Sequence, residues 1–374
     1  MPWVAVLDAR QITILIKDCS KLGKLARILH EHRGALVHFH VSAAWVCLSR
    51  IGQGGAEVTR IVATLQDRTR GLLNRMDGRQ IADVMHSLAR LHQRGVLADP
   101  NLLEAMQRRA TTAAGAFKPQ NVTNVLWALA TMGEGADRRL LEAMQRRAAA
   151  TAGEFTPQEV ANVLWALATM SQGADPGLLE AMQRRATATA GGFTPLDVAN
   201  LHWALATMGE RADPGLLEAM QSRAVATVGG FEAQEIENVL WALATMGERA
   251  DPGLLEAMQS RATATAGEFT PQNVANVLWA LATMGERTDR ALLVAIQRRA
   301  VATAGKFKPR DISNVLWALA SMGERVDRGL LEAMQGRVTV TVETFKPQDI
   351  THVLWALATM GERPDRPLLV NPKP

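Results

Sequence analysis

The histidines His30, His32, His38 and His40 form two His-x-His pairs, the grouping in this sequence with most metal-ligand character. Zinc is held by tetrahedral sets of Cys, His and carboxylate donors. Residues two apart on a helix do not share a face, and no cysteine or acid completes the set, so no metal is expected. Ser/His/Asp, Cys/His, P-loop and dinucleotide signatures are all missing from the sequence. The expectation is therefore no catalytic residue, no enzyme, no cofactor and no small-molecule substrate.

The remaining polar chemistry recurs at a fixed interval. Asn121, Glu159, Asp197, Glu235, Asn273, Asp311 and Asp349 vary among hydrogen-bonding types at one position near a helix start. Two readings compete there: contact with the edges of bases, or closure of a capping box at the helix amino terminus. Thr123, Ala161, Ala199, Glu237, Ala275, Ser313 and Thr351 vary two residues further on, and their alanines suit packing between repeats. Asn124, Asn162, Asn200, Asn238, Asn276 and Asn314 are nearly constant, with His352 as the exception. They form either a structural ladder or a row that holds a backbone.

Arg109, Arg147, Arg185, Arg223, Arg261, Arg299 and Arg337 recur as the second member of a pair, often Arg-Arg. The first member can bond a glutamate four residues earlier, as Arg146 can with Glu142. The second either holds loop carbonyls of the next unit or lines a groove and neutralises phosphate. The tryptophans offer stacking surfaces for bases, but their setting among Leu and Ala predicts core packing.

These residues are positioned by tandem repeats. Trp127, Trp165, Trp203, Trp241, Trp279, Trp317 and Trp355 are each 38 residues apart, and Phe117 to Phe345 keep the same step ten residues earlier. Identical intervals in two residue types mark internal duplication. In the unit from Phe155 to Gly192, Thr156-Pro157-Gln158-Glu159 reads as a helix start, with an N-cap and a proline at the first helical position. Val160, Val163, Leu164 and Leu167 follow at helical spacing and close at Met170. Gly173 is expected to break the chain before Asp175-Pro176 opens a second helix, which Gly191 and Gly192 end. The first helix is apolar or small nearly all round, so it belongs in a middle layer covered on both sides.

The pattern predicts an all-α fold, a right-handed α-solenoid superhelix of tandem 38-residue helix-turn-helix repeats. Residues 1–74 read as degenerate helical repeats, 75–116 as a degenerate repeat with a three-residue insertion, and 117–374 as seven regular repeats, the last truncated. Thr13–Lys17, Ser42–Leu48 and Asp83–Ala89 are the worn copies, with His86 in the tryptophan position. Leu368-Leu369-Val370 ends the chain where a second helix should begin. The apolar fraction of 48% excludes a disordered chain, and no apolar run is long enough for a membrane span. A net charge of +4, with 33 Arg against 8 Lys, permits a nucleic-acid partner without demanding one, and the absence of Tyr, a common stacking platform, counts modestly against RNA.

The string Phe-x-Pro-Gln-x-Val-x-Asn-Val-Leu-Trp-Ala-Leu-Ala, complete at Phe155–Ala168 and Phe269–Ala282, resembles the octotricopeptide repeat of algal and protist organelle RNA-binding proteins. It is similar to chloroplast translation factors, to helical-repeat subunits of the RNA-editing substrate-binding complex and to FAST-kinase-domain relatives. The resemblance implies an RNA-binding solenoid acting in transcript stability, processing, editing or translation in a chloroplast or mitochondrion. Single-stranded RNA is the expected partner, with protein partners in a ribonucleoprotein complex and no membrane. No transit peptide is visible at the amino terminus, which taken alone reads as cytosolic. The competing expectation is an armadillo-like protein scaffold; an Arg-lined groove favours RNA, and an apolar or acidic groove favours the scaffold.

Overall fold

The computed structural model describes residues 7–363. Among them it is all-helical, with nineteen α-helices and no strand. The chain forms two compact units, residues 1–186 and 187–374. The first contains α1 (Ala9–Lys17), α2 (Leu22–Glu31), α3 (His38–Ile51), α4 (Ala56–Leu72), α5 (Gly78–His92), α6 (Pro100–Ala113), α7 (Pro119–Met132), α8 (Arg138–Ala150) and α9 (Pro157–Thr169). The boundary falls inside α10 (Pro176–Ala188). The second contains α11 (Pro195–Met208), α12 (Pro214–Ala226), α13 (Ala233–Met246), α14 (Pro252–Thr265), α15 (Pro271–Met284), α16 (Arg290–Thr303), α17 (Pro309–Met322), α18 (Arg328–Thr341) and α19 (Pro347–Met360).

Within each unit the odd-numbered helices pack side by side in one row, and the even-numbered helices form a second row against it. The fold is thus the expected solenoid of helix pairs. The worn copies lie on α1, α3 and α5, in the first-helix row. The row forms because Val274, Val277, Leu278 and Leu281 of α15, with Ala275 and Ala280, are fully covered by neighbouring helices. Small alanines let the axes approach closely. Phe231, Phe269 and Phe307, each 0% exposed, anchor the start of a repeat after a short 3-10 turn.

The middle-layer expectation needs one correction. First helices are covered by their row neighbours and by the second-helix row, yet one line of residues on each stays open to solvent. A further correction concerns the helix ends. Gly209, Gly247, Gly285 and Gly323 close the first helices at positive φ in Schellman-type turns, as when Glu248 N–H donates to Leu243 O at 2.9 Å. In the unit from Phe155 to Gly192 this place belongs to Ser171, at φ 55°, and not to Gly173. Residues 1–6 and the Leu368-Leu369-Val370 segment lie outside the described residues.

Candidate functional site

The varied set near the helix starts is occupied by the helices themselves. Each member accepts the backbone N–H three residues earlier: Asn121 from Lys118 (3.1 Å), Glu159 from Thr156 (2.8 Å), Asp197 from Thr194 (3.0 Å) and Glu235 from Glu232 (2.9 Å). Asn273 does so from Thr270 (2.9 Å), Asp311 from Lys308 (3.0 Å) and Asp349 from Lys346 (3.3 Å). Asn121, Asp197 and Asn273 are also buried. Capping explains their recurrence without a ligand. Burial raises the Asp311 carboxyl above its ordinary value, and Lys308 N–H opposes that shift.

The arginine row has a structural geometry as well. The Nε–H of Arg147, Arg185, Arg223, Arg261, Arg299 and Arg337 donates to the carbonyls of Phe117, Phe155, Phe193, Phe231, Phe269 and Phe307, each 30 residues earlier, at 2.5–3.0 Å. The carbonyl belongs to the arginine's own repeat, not to the next one. Arg109 reaches Met76 O at 2.9 Å across 33 residues, the three-residue insertion making up the difference. The first members of the pairs are exposed: Arg108 bonds Glu104 and Arg184 bonds Glu180 at 2.8 Å. Glu142 pairs with Arg138 at 2.9 Å and not with Arg146.

The open line on the first helices carries the accessible polar and aromatic chemistry. On α13 it runs Gln234, Asn238, Trp241, Thr245; on α15 it runs Gln272, Asn276, Trp279, Thr283. These steps of four, three and four keep one face of a helix. The outer members are exposed, while the asparagines and tryptophans are half-buried. Asn200 and Trp203 on α11 and Asn314 and Trp317 on α17 occupy the same places, and Asn124, Trp127, Asn162 and Trp165 do so on α7 and α9. Leu196, 52% exposed, and Arg310 replace the glutamine on α11 and α17.

The tryptophans are therefore not core residues as expected; each keeps part of its indole accessible, and Trp355 is 46% exposed. Nor do the asparagines bond one another between neighbouring repeats among the described residues. Trp317 lies beside His352 of the following repeat, ring centroids 6.4 Å apart. His86, at the tryptophan position of α5, lies 4.9 Å from Trp127, and burial lowers its pKa.

Two repeated features escaped the sequence reading. In the second unit, Arg249, Arg287, Arg325 and Arg363 sit exposed in the turns after the first helices. They follow Glu248, Glu286, Glu324 and Glu362, and among the described residues none of the four arginines makes an ion pair. The Gly-Glu-Arg spacing could have exposed this row, but the Arg-Arg pairs drew attention away. The second feature is a glutamine staple: buried Gln259 accepts from Asp289 N–H at 2.6 Å and donates to Arg287 O at 3.3 Å, joining consecutive repeats. Gln221 does the same with Asp251 and Arg249.

The stripe changes character near the amino terminus. On α3 it carries exposed Phe39 and Val46, which line a cleft of about 490 Å³ together with Lys17 of α1, Arg50, Asp77, Arg79 and Asp83. His40 is committed to Ala9 O at 2.7 Å and His38 to Gln80 at 2.7 Å. Among the described residues no cluster of His, Cys, Asp and Glu has the makings of a metal site, and no helix is long and apolar enough to cross a membrane.

A family model described as RNA-editing substrate-binding complex 6 protein matches residues 95–365. No curated protein matches the chain. Among structures, a homology model of the full-length AP-3 complex in an intermediate open conformation is 9% identical, with a TM-score of 0.31, over 92% of this chain and 67% of that one. The crystal structure of an engineered protein is 12% identical, with a TM-score of 0.22, over 96% of this chain and 91% of that one.

Proposed function

The chain belongs to the RNA-editing substrate-binding complex 6 protein family, and from that premise we propose that it is a non-catalytic binder of single-stranded RNA in organellar RNA metabolism. The observation that carries this reading is the open stripe of the second unit, where half-buried indoles alternate with amides and hydroxyls from one first helix to the next. Indole faces stack on bases of any identity, and Asn or Gln beside them hydrogen-bonds base edges. Adjacent helices stand about 8–10 Å apart, so an unstacked strand meets one tryptophan per nucleotide, as in other helical repeats that take one base per unit.

Phosphate contacts fall to Arg249, Arg287, Arg325 and Arg363, in the turns at the carboxyl ends of these helices. The rise of 1.5 Å per residue puts the end of α13 about 8 Å beyond Trp241, within reach of a long side chain. In this reading Arg109 and its six equivalents serve the fold, their guanidinium groups holding the repeat starts. The finer reading is a member of the octotricopeptide class acting in editing, processing, stability or translation of transcripts in a mitochondrion or chloroplast, within a ribonucleoprotein complex.

The exposed Phe39 and Val46 at this cleft favour a second reading for the amino-terminal repeats, a scaffold surface for a protein subunit. The deciding experiment is fluorescence-anisotropy titration of the full chain with fluorescein-labelled single-stranded and duplex RNA at low and moderate salt. Binding that prefers single strands and weakens with salt supports the proposal. No binding at low salt rejects it and leaves the scaffold reading.

A further inference from the structure

Glu237 is the exception in its row. The same helical position holds Thr123, Ala161, Ala199, Ala275, Ser313 and Thr351 in the other regular repeats. Packing between first helices explains a small residue there but not a carboxyl group. Glu237 is 4% exposed. Its Oε2 accepts from Asn273 Nδ2 at 2.6 Å, and its Oε1 accepts from Asn276 Nδ2. Burial raises the carboxyl pKa above its ordinary value, and the amide donors act against that shift. A buried polar group without such partners is costly; here two amides converge on it.

One of those amides, Asn276, belongs to the open stripe of α15. A free amide turns to present either its NH2 or its carbonyl to a ligand. Asn276 has lost that freedom, because its NH2 faces the carboxylate and its Oδ1 is turned the other way. Trp317 and His352 show how an indole sits beside the asparagine position of the following repeat. The repeat gives Asn276 on α15 the corresponding place beside Trp241 on α13.

We propose that Glu237 fixes this rung as an acceptor, so that a base stacked on Trp241 is selected for an exocyclic amino group. Cytosine donates from N4, whereas uracil places the O4 acceptor there, and two facing acceptors leave a desolvated group unpaired. Glu237 is thus a positioning residue that makes one rung selective in a stripe otherwise tolerant of base identity. This inference rests on the single-stranded RNA reading above.

The test compares the affinity of the full chain for oligo(C) and oligo(U) of equal length, in the wild type and in Glu237→Ala. The two pyrimidines share ring size, so their comparison isolates the amino group from most of the stacking. Alanine is the residue of Ala161, Ala199 and Ala275, and a melting curve checks that the variant is folded. The wild type is expected to favour oligo(C), and the substitution to shrink the Kd ratio of U to C by about fivefold. An unchanged ratio, or an equal loss for both oligomers, overturns the selective rung while leaving RNA binding intact. Failure of the folded wild type to bind either oligomer overturns both readings.

Discussion

Arg261 donates its Nε–H to the backbone carbonyl of Phe231, 30 residues earlier, at 2.7 Å. The contact ties the second helix of a repeat to the residue that starts the first, and Phe231 itself is fully buried. Charge-assisted hydrogen bonds contribute about 1.5–3 kcal/mol. Arg261→Ala is expected to destabilise the chain by about that amount, read as a lowered melting temperature. The exposed Arg298→Ala, outside this brace, is expected to change stability by about 0.5 kcal/mol or less. If both variants melt alike, the brace contributes nothing of its own.

The repeat length, the helix pairs and the buried Phe row were legible because each rests on local spacing. The side on which the tryptophans open was not. A Trp flanked by Leu and Ala reads as core in one dimension, and only the packing of α13 between α11 and α15 shows that one line of its surface stays uncovered. The arginines stayed open between two roles for a related reason. A guanidinium that braces a carbonyl 30 residues away and one that binds phosphate have the same local signature. The asparagines stayed open between two readings because constancy does not report exposure, and Asn238 and Asn314 are half-exposed.

Trp279→Leu separates binding from folding. Leucine preserves apolar contact on the covered side of α15 and removes the indole face. Stacking of a base on an aromatic side chain contributes about 1–3 kcal/mol, so affinity for single-stranded RNA is expected to fall roughly 5- to 150-fold. The melting temperature should move little. Phe269→Leu, at a site 0% exposed, should show the opposite pattern of lower stability with binding retained while folded. Equal RNA affinity for wild type and Trp279→Leu would remove this indole from the interface.

Ser171 stands at φ 55°, where Gly133 on the preceding first helix and Gly209, Gly247, Gly285, Gly323 and Gly361 elsewhere adopt φ between 65° and 75°. A side chain in the left-handed region costs about 1–2 kcal/mol, partly offset by the larger backbone entropy that glycine loses on folding. Ser171→Gly is expected to stabilise the chain by about 0.5–1 kcal/mol. A lower melting temperature for the variant contradicts this account of the turn.

His202 replaces the leucine found at Leu126, Leu164, Leu240, Leu278, Leu316 and Leu354. It is 2% exposed, with its Nδ1 2.8 Å from Val198 O, so Nδ1–H donates to that carbonyl. Burial lowers its pKa, and the Val198 carbonyl only partly opposes this. The unfolded chain takes up a proton at the ordinary histidine value of about 6.5, while the folded chain does so only at lower pH. Stability is therefore complete above that value and falls as the pH drops below it, because the unfolded state binds more protons. His202→Leu removes this contribution, whereas His86 and the carboxyl groups stay in both proteins. The difference in melting temperature between variant and wild type should be smallest at pH 8 and should widen in favour of the leucine variant towards pH 5.5. A difference that stays constant with pH would show that His202 gains its proton as easily in the folded chain as in the unfolded one.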